Sequence, residues 1–496
     1  MEYRIPVRVR FILPLKNPTF ASLKSATKTS DKLGTASVKS LLIQQSLPAA
    51  FGFLVMSVYQ LVDVWFVSRY AEGELAIAAI TVVLPITFLI SSFGMAVGVG
   101  GASVLARALG EGSPEKAQKT FNNQILLTLG FVLLFVLMGY VFQTQLLTLF
   151  GANTEIMPYA KKYFNILLLG LPFLGWAMMS NNTIRAEGKP KVAMLTMIIP
   201  AVSNIVLDYV LILQFDMGLE GAAWATTTGY MLSGLYTLWF FLSGRSELSF
   251  GQGPLRLDFP IVGEIASIGS ITLVRQSMFS LLAIVLYGQL DKWGQVEYAA
   301  TLGESGGSHA IAIYGLIRGF TLFVAFPIIG IMQGLMPIVS YNYGANNGER
   351  VKEGVWLAMQ WTTVISLLLL SVIVIFPEEL IGIFTEDKDL LAHTPRVLQL
   401  IFVSLPVMGI GFIGGAYFQA VGKPIPALVL TLARQGLFMI PLMFILSSVV
   451  GLDGVWASLP AGEILAGIWA AMWLYQEVSK LKDRKSESTE IDTIGT

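Results

Sequence analysis

The chain has 496 residues, of which 54% are hydrophobic and only 13% charged, where ordinary soluble domains carry roughly 25% charged residues. Its 32 basic and 32 acidic residues cancel, so no basic field exists to hold a nucleic-acid backbone. With no cysteine at all, disulfides, thiol nucleophiles and cysteine metal sites are excluded.

In chain order, residues 1–40 are rich in Lys, Arg, Ser and Thr and hold no apolar segment long enough for a cleaved signal peptide. A disordered cytoplasmic tail is expected there, with a transit peptide as the other reading. Apolar runs of about 20 residues then predict about twelve transmembrane helices, near 42–68, 75–104, 121–142, 159–182, 192–213, 221–242, 260–287, 310–340, 355–376, 397–418, 427–449 and 455–475. An even number places both termini on one side of the membrane. Lys and Arg gather in the N-terminal segment, alternate loops and the C-terminal end, which makes that side cytoplasmic. The expected units are a six-helix lobe over 41–243, a cytoplasmic linker over 244–258, a second six-helix lobe over 259–478 and a polar cytoplasmic tail over 479–496.

The two lobes are copies. Leu171-Pro172 recurs 234 positions later as Leu405-Pro406, and the Gly188-Lys189-Pro190 loop as Gly422-Lys423-Pro424. Gly218-Leu219-Glu220-Gly221 returns as Gly451-Leu452-Asp453-Gly454. Each copy holds an even number of spans, so the two share one orientation and relate by an axis along the membrane normal. The fold class is an all-α integral membrane protein, two pseudo-symmetric lobes around a central cavity, a plan suited to alternating access.

Charges at membrane depth carry the functional signal, since each costs on the order of 2.5–3.5 kcal/mol on insertion scales. Asp63 lies in the first span and Asp208 in the fifth, where Asn204 shares its helix face. Thr226 and Thr227 in the sixth span could approach them. No first-lobe Lys or Arg lies at membrane depth to pair with these acids, Lys161 and Lys162 standing at the very start of the fourth span. Two carboxylates so placed hold a proton or bind a cation such as Na⁺, and the residues do not separate the two. The repeat does not duplicate this pair: the second lobe instead carries Arg275, Arg318, Arg434 and Glu463 within spans. Pairing of Glu463 with an arginine is one reading, a second coupling or substrate site the other. The glycine run Gly94 to Gly101 reads as close helix packing, and prolines such as Pro48 as kinks. First-lobe methionines including Met56 and Met197 read as core, or as an adaptable surface for varied apolar molecules. His309 and His393 share no metal-ligand spacing.

Taken together, Leu47-Pro48, Val62-Asp63, Leu109-Gly110-Glu111-Gly112, Arg185-Ala186-Glu187-Gly188-Lys189-Pro190, Asn204 to Asp208, Gly221 to Thr226, and Arg434-Gln435 before Pro441 resemble the multidrug and toxic compound extrusion family. The seventh span has Gln276 and no acid, in which it is similar to the DinF-like branch of that family and unlike the NorM-like one. The resemblance implies a monomeric bacterial inner-membrane antiporter without a cofactor, exporting organic, often cationic amphipathic compounds in exchange for H⁺ or Na⁺. It carries cation coupling onto Asp63, Asn204, Asp208, Thr226 and Tyr163, with any Na⁺ held by the first four. It carries a substrate chamber onto Met56, Asn181 and Met197, and a bending point onto Pro48. A lipid-linked sugar flippase of the same superfamily is the alternative, favoured only by the three intramembrane arginines. A membrane-embedded hydrolase or transferase lacks a nucleophile and base to build on.

Overall fold

Proline and short polar residues set where helices begin. Pro114, Pro190 and Pro424 stand in first turns, where a missing N–H costs nothing. Asp258 and Asn347 cap the next helices by accepting from Ile261 N at 3.4 Å and Arg350 N at 3.3 Å. The computed structural model describes residues 29–70, 74–253, 255–302 and 305–481, and every regular element among them is helical. Residues 1–28 of the expected basic tail and 482–496 of the polar tail lie outside the described residues.

Nine described helices are long and apolar enough to cross a bilayer, ten with the pair Lys388–Phe402 and Leu405–Ala420, which meet at 46°. The run Pro424–Ser479 is two spans. At Gly451 the chain takes φ 63, and beyond it Gly454 packs on the Leu446 carbonyl and Gly462 on Met439, as an antiparallel pair does. With Gly218–Leu242 the spans number twelve. The first six are Val38–Tyr70, Glu74–Gly110, Pro114–Val141, Met157–Ala186, Pro190–Asp208 and Gly218–Leu242; the seventh to ninth are Phe259–Glu297, Gly306–Gly344 and Gly348–Ile375. Large apolar side chains such as Leu133, Leu137, Leu368 and Val449 stand exposed on their outer faces, the surface lipid tails would cover.

The internal repeat returns in the backbone. Gly188 and Gly422 take φ 75 and 76, and Gly218 and Gly451 take φ 51 and 63, left-handed values that favour glycine. The fifth span widens into a π-helical turn at Tyr209–Gln214, and the eleventh at Ala433–Met439.

The lobes meet at one end, the proximal end, which carries both ends of the described chain. There the second span runs against the seventh and eighth with almost no side chains between. A Cβ on Gly110 would lie 2.0 Å from the Tyr341 carbonyl oxygen, on Gly344 2.2 Å from that of Arg107, and on Gly269 2.5 Å from that of Ala96. Arg107 Nη1 reaches Glu264 at 2.8 Å, and Ser103 Oγ donates to the Gln419 carbonyl at 2.6 Å. Toward the distal end Leu54, Val58 and Leu61 of the first span and Phe323 of the eighth are exposed.

Residues 29–40 depart from the expected disordered tail. Asp31–Thr35 is a helical turn with Leu33 buried against the eighth span. Ser30 donates through N and Oγ to Glu247 at 2.9 and 2.7 Å, while Asn342 Nδ2 donates to the Leu33 carbonyl at 2.9 Å. Arg350 Nη2 donates to the carbonyls of Leu33 and Ala36. Composition hid this because two isolated buried apolar residues, Leu33 and Val38, with hydrogen bonds to Glu247, Asn342 and Arg350, and not a hydrophobic run, hold the segment. Arg350→Ala is expected to free it, with tryptic cleavage at Lys32 about tenfold faster than in the parent, the consequence of losing charge-assisted hydrogen bonds.

Candidate functional site

Four spans of the first lobe bring the polar residues together. Asp208 ends the regular part of the fifth helix, directly before its π-helical turn, a distortion common at functional sites. Asn204 lies one turn earlier, and both are buried. With its amide turned to satisfy both neighbours, Asn204 Nδ2 donates to Asp208 Oδ2 at 3.0 Å, and its Oδ1 accepts from Thr226 N at 3.3 Å and Thr226 Oγ1 at 3.2 Å. Asp63, from the first span, stands within hydrogen-bonding reach of Asp208. Tyr163, buried on the fourth span, reaches the Thr226 hydroxyl. All five residues expected at the site thus share one chamber in the distal half of the lobe.

Two observations give the chamber its chemistry. Asp63 Oδ1 and Asp208 Oδ1 are buried with no hydrogen-bond partner, and no lysine or arginine pairs with either acid among the described residues. Buried carboxylate oxygens rarely stay unsatisfied, and an unpaired buried charge is costly. The donor set is all oxygen: two carboxylates and a hydroxyl beside an amide. That set suits a proton or a hard cation.

Tyr59 and Tyr230 complete the surroundings, both in electrostatic range of Asp63. Sequence reasoning passed over them, although Tyr59 stands one helical turn before Asp63 and so on its face. Met197 lies against the first span, where a Cβ on Gly52 would meet its Sδ at 2.9 Å; Met56 is half-buried on the same span. Asn181 sits apart from the acids. Its Nδ2 donates to the Ala193 carbonyl and to Thr196 Oγ1, each at 2.7 Å, and its Oδ1 accepts from Arg185 Nη2 at 3.1 Å. Pro48 lies inside the first helix, leaving the Gln44 carbonyl without its helical donor.

The loop after the fourth span is a polar anchor. Glu187 is fully buried and held by Lys189 at 2.5 Å, by the Ser246 hydroxyl and by the Glu247 amide. Burial raises its carboxyl above the ordinary range, against the lowering influence of Lys189. The repeat-related Lys423 pairs instead with Glu477. In the second lobe Glu463 pairs with Arg434, Nε to Oε2 at 2.8 Å, while Arg318 Nη1 donates to Tyr287 Oη at 3.3 Å. His309 and His393, remote in sequence, meet edge to face at 5.4 Å between ring centroids, each also against Tyr298. No third ligand joins them among the described residues.

A family model described as MatE matches residues 48–210 and again 277–445, once in each lobe. The chain belongs to the MatE family. It is similar to "Multidrug export protein MepA" of Staphylococcus aureus, 26% identical over 444 residues, covering 90% of this chain and 94% of that protein. The same-named protein of Staphylococcus haemolyticus is 27% identical over 457 residues, covering 92% and 98%. A solved structure titled "Outward-facing conformation of a multidrug resistance MATE family transporter of the MOP superfamily" superposes with a TM-score of 0.84 at 24% identity, covering 92% of this chain and 99% of that one. That likeness is one of fold, twelve helices in two lobes. This MatE protein is therefore a multi-pass membrane transporter and not an enzyme.

Proposed function

We propose that the protein exports small organic, often cationic amphipathic compounds, exchanging them for H⁺ or Na⁺ by alternating access. The observation that carries the reading is the pair of unpartnered carboxylate oxygens on Asp63 and Asp208, buried in one chamber. The names of the similar multidrug export proteins support the cargo class. In the cycle, the cleft is open at its distal end and a cation enters the chamber. Occupancy removes the repulsion between the acids, lets the first helix rearrange near Pro48, and displaces the compound held against Met56 and Met197. Closure of the distal end and opening of the proximal seam return the cation. The proximal end faces the cytoplasm in this reading, consistent with the basic loops gathered there, and the membrane is a bacterial inner membrane. A single subunit contains both lobes and both sides of the cleft, so a monomer suffices.

The test is dye efflux from vesicles carrying the purified protein, with an imposed pH gradient in one set and a Na⁺ gradient in another. One of the two is expected to drive a cationic dye out against its own gradient. Efflux that follows neither cation, and stops when the dye gradients are equal, would remove the antiport reading.

A further inference from the structure

The second lobe holds a cavity built from the same helices of the repeat that build the acid chamber in the first. Its walls are Arg275 and Phe279 of the seventh span, Phe412 of the tenth, Arg434 of the eleventh and Glu463 of the twelfth. These spans are the repeat counterparts of the first, fourth, fifth and sixth, which carry Asp63, Tyr163, Asp208 and Thr226. The charge is opposite. Arg434 uses Nε on Glu463 at 2.8 Å, a pair that is nearly dry, and its remaining N–H groups meet no acceptor among the described residues. Arg275 makes one long contact, Nη2 to Thr272 Oγ1 at 3.5 Å, and no ion pair among the described residues. One guanidinium charge is therefore left over, facing the cavity.

The cavity is about 40 Å³, room for about three waters and so for a head group but not a whole drug. Aromatic surface lies beside it. Arg434 stacks over Phe412 at 4.6 Å and approaches Phe279 at 5.9 Å, and Phe279 is 41% exposed. The π-helical turn Ala433–Met439 begins one residue before Arg434 and directs it inward. Arg434 precedes Leu442, the repeat counterpart of Asp208, by eight positions, roughly 12 Å along a helix. The two charged sites thus occupy different depths of the two lobes.

We propose that this cavity binds the anionic group of an amphiphile, a carboxylate, sulfonate or phosphate, with the apolar part of the molecule against Phe279 and Phe412. Two guanidinium groups converging without enough acid to neutralise them fit planar, bidentate oxyanions. The inference rests on the transport reading and extends it from cations to zwitterions and acids. The same oxyanion chemistry is offered by a dissolved compound or by an anionic lipid of the bilayer.

The experiment is equilibrium binding of radiolabelled laurate to the full-length protein in phosphatidylcholine nanodiscs, with dodecyltrimethylammonium as the cationic comparator. Saturable laurate binding is expected, weakened about tenfold or more in Arg275→Gln, the loss of one charge-assisted pair, and recovered only in part in Arg275→Lys, which restores the charge but not the bidentate fork. Dodecyltrimethylammonium binding is expected to be equal in all three. Arg434→Gln alone strands Glu463, so the companion variant is Arg434→Gln with Glu463→Gln, in which laurate binding again falls. In nanodiscs containing phosphatidylglycerol, a loss of laurate affinity identifies bilayer lipid as the occupant, and an unchanged affinity identifies a dissolved compound; both support the anion site. Absence of saturable laurate binding in phosphatidylcholine, or an affinity unchanged by Arg275→Gln, would overturn it. Because binding needs no cation gradient, this outcome is separable from failure of coupled efflux.

Discussion

Asp208→Asn is expected to abolish concentrative efflux while leaving the folded protein intact. One-for-one exchange against a tenfold cation gradient makes about 1.4 kcal/mol available, enough to hold about a tenfold gradient of the exported compound. Asp208 is fully buried, with one oxygen satisfied by Asn204 and the other facing no donor. Asparagine matches its shape but neither ionises nor supplies a negative charge for a cation, so the transported compound should equilibrate to a ratio near one. Removal of a buried charge with no cationic partner does not harm the fold, so thermal stability should be equal or higher. The measurement is the steady-state dye ratio across vesicles, set beside the melting temperature. A variant that still concentrates dye tenfold would move coupling away from the first lobe.

Gly344→Ala is expected to open the proximal seam. The new methyl would lie 2.2 Å from the Arg107 carbonyl oxygen, and both partners are helix backbone, so the helices must part. Overpacking of this kind costs about 1–3 kcal/mol, a shift of roughly five- to 150-fold in a two-state equilibrium. The chain has no cysteine, so Ser340→Cys is a single reporter without further engineering. Ser340 is 1% exposed and donates at 3.0 Å to the Ala420 carbonyl, which Ser103 of the first lobe also reaches, at 3.2 Å, across the seam. Maleimide labelling at that position should quicken at least about fivefold in the Gly344→Ala background. Gly130→Ala is the matched control, because a Cβ there meets nothing within 4 Å and labelling should not change.

Much of this architecture is legible in the residues because the bilayer imposes strict rules. Each expected apolar run overlaps a helical span of the structure, the run 397–418 crossing the bend between Lys388–Phe402 and Leu405–Ala420, and the internal repeat returns as paired left-handed glycines. Asp63, Asn204, Asp208, Thr226 and Tyr163 converge, since a carboxylate at membrane depth must face other polar groups. What stayed hidden depends on tertiary contact. Tyr59 and Tyr230 carry no charge and look like ordinary aromatic residues until the first and sixth spans pack. The ordering of residues 29–36 rests on hydrogen bonds to Glu247, Asn342 and Arg350, which composition does not display. The histidines meet because the eighth and tenth spans are neighbours, which their separation in sequence conceals. Asn181 is placed by the resemblance in a substrate chamber, and the structure has it bound to Ala193, Thr196 and Arg185.

In the proposed cycle compound and cation compete through one pair of first-lobe carboxylates. The most direct measurement is release of cation from the purified protein on addition of a cationic drug, followed with a pH indicator in weak buffer and with ²²Na⁺ at fixed pH. About one ion, H⁺ or Na⁺, is expected to be released per drug bound, and none from Asp63→Asn or Asp208→Asn. Drug binding that releases neither ion, or release undiminished in both variants, would contradict it.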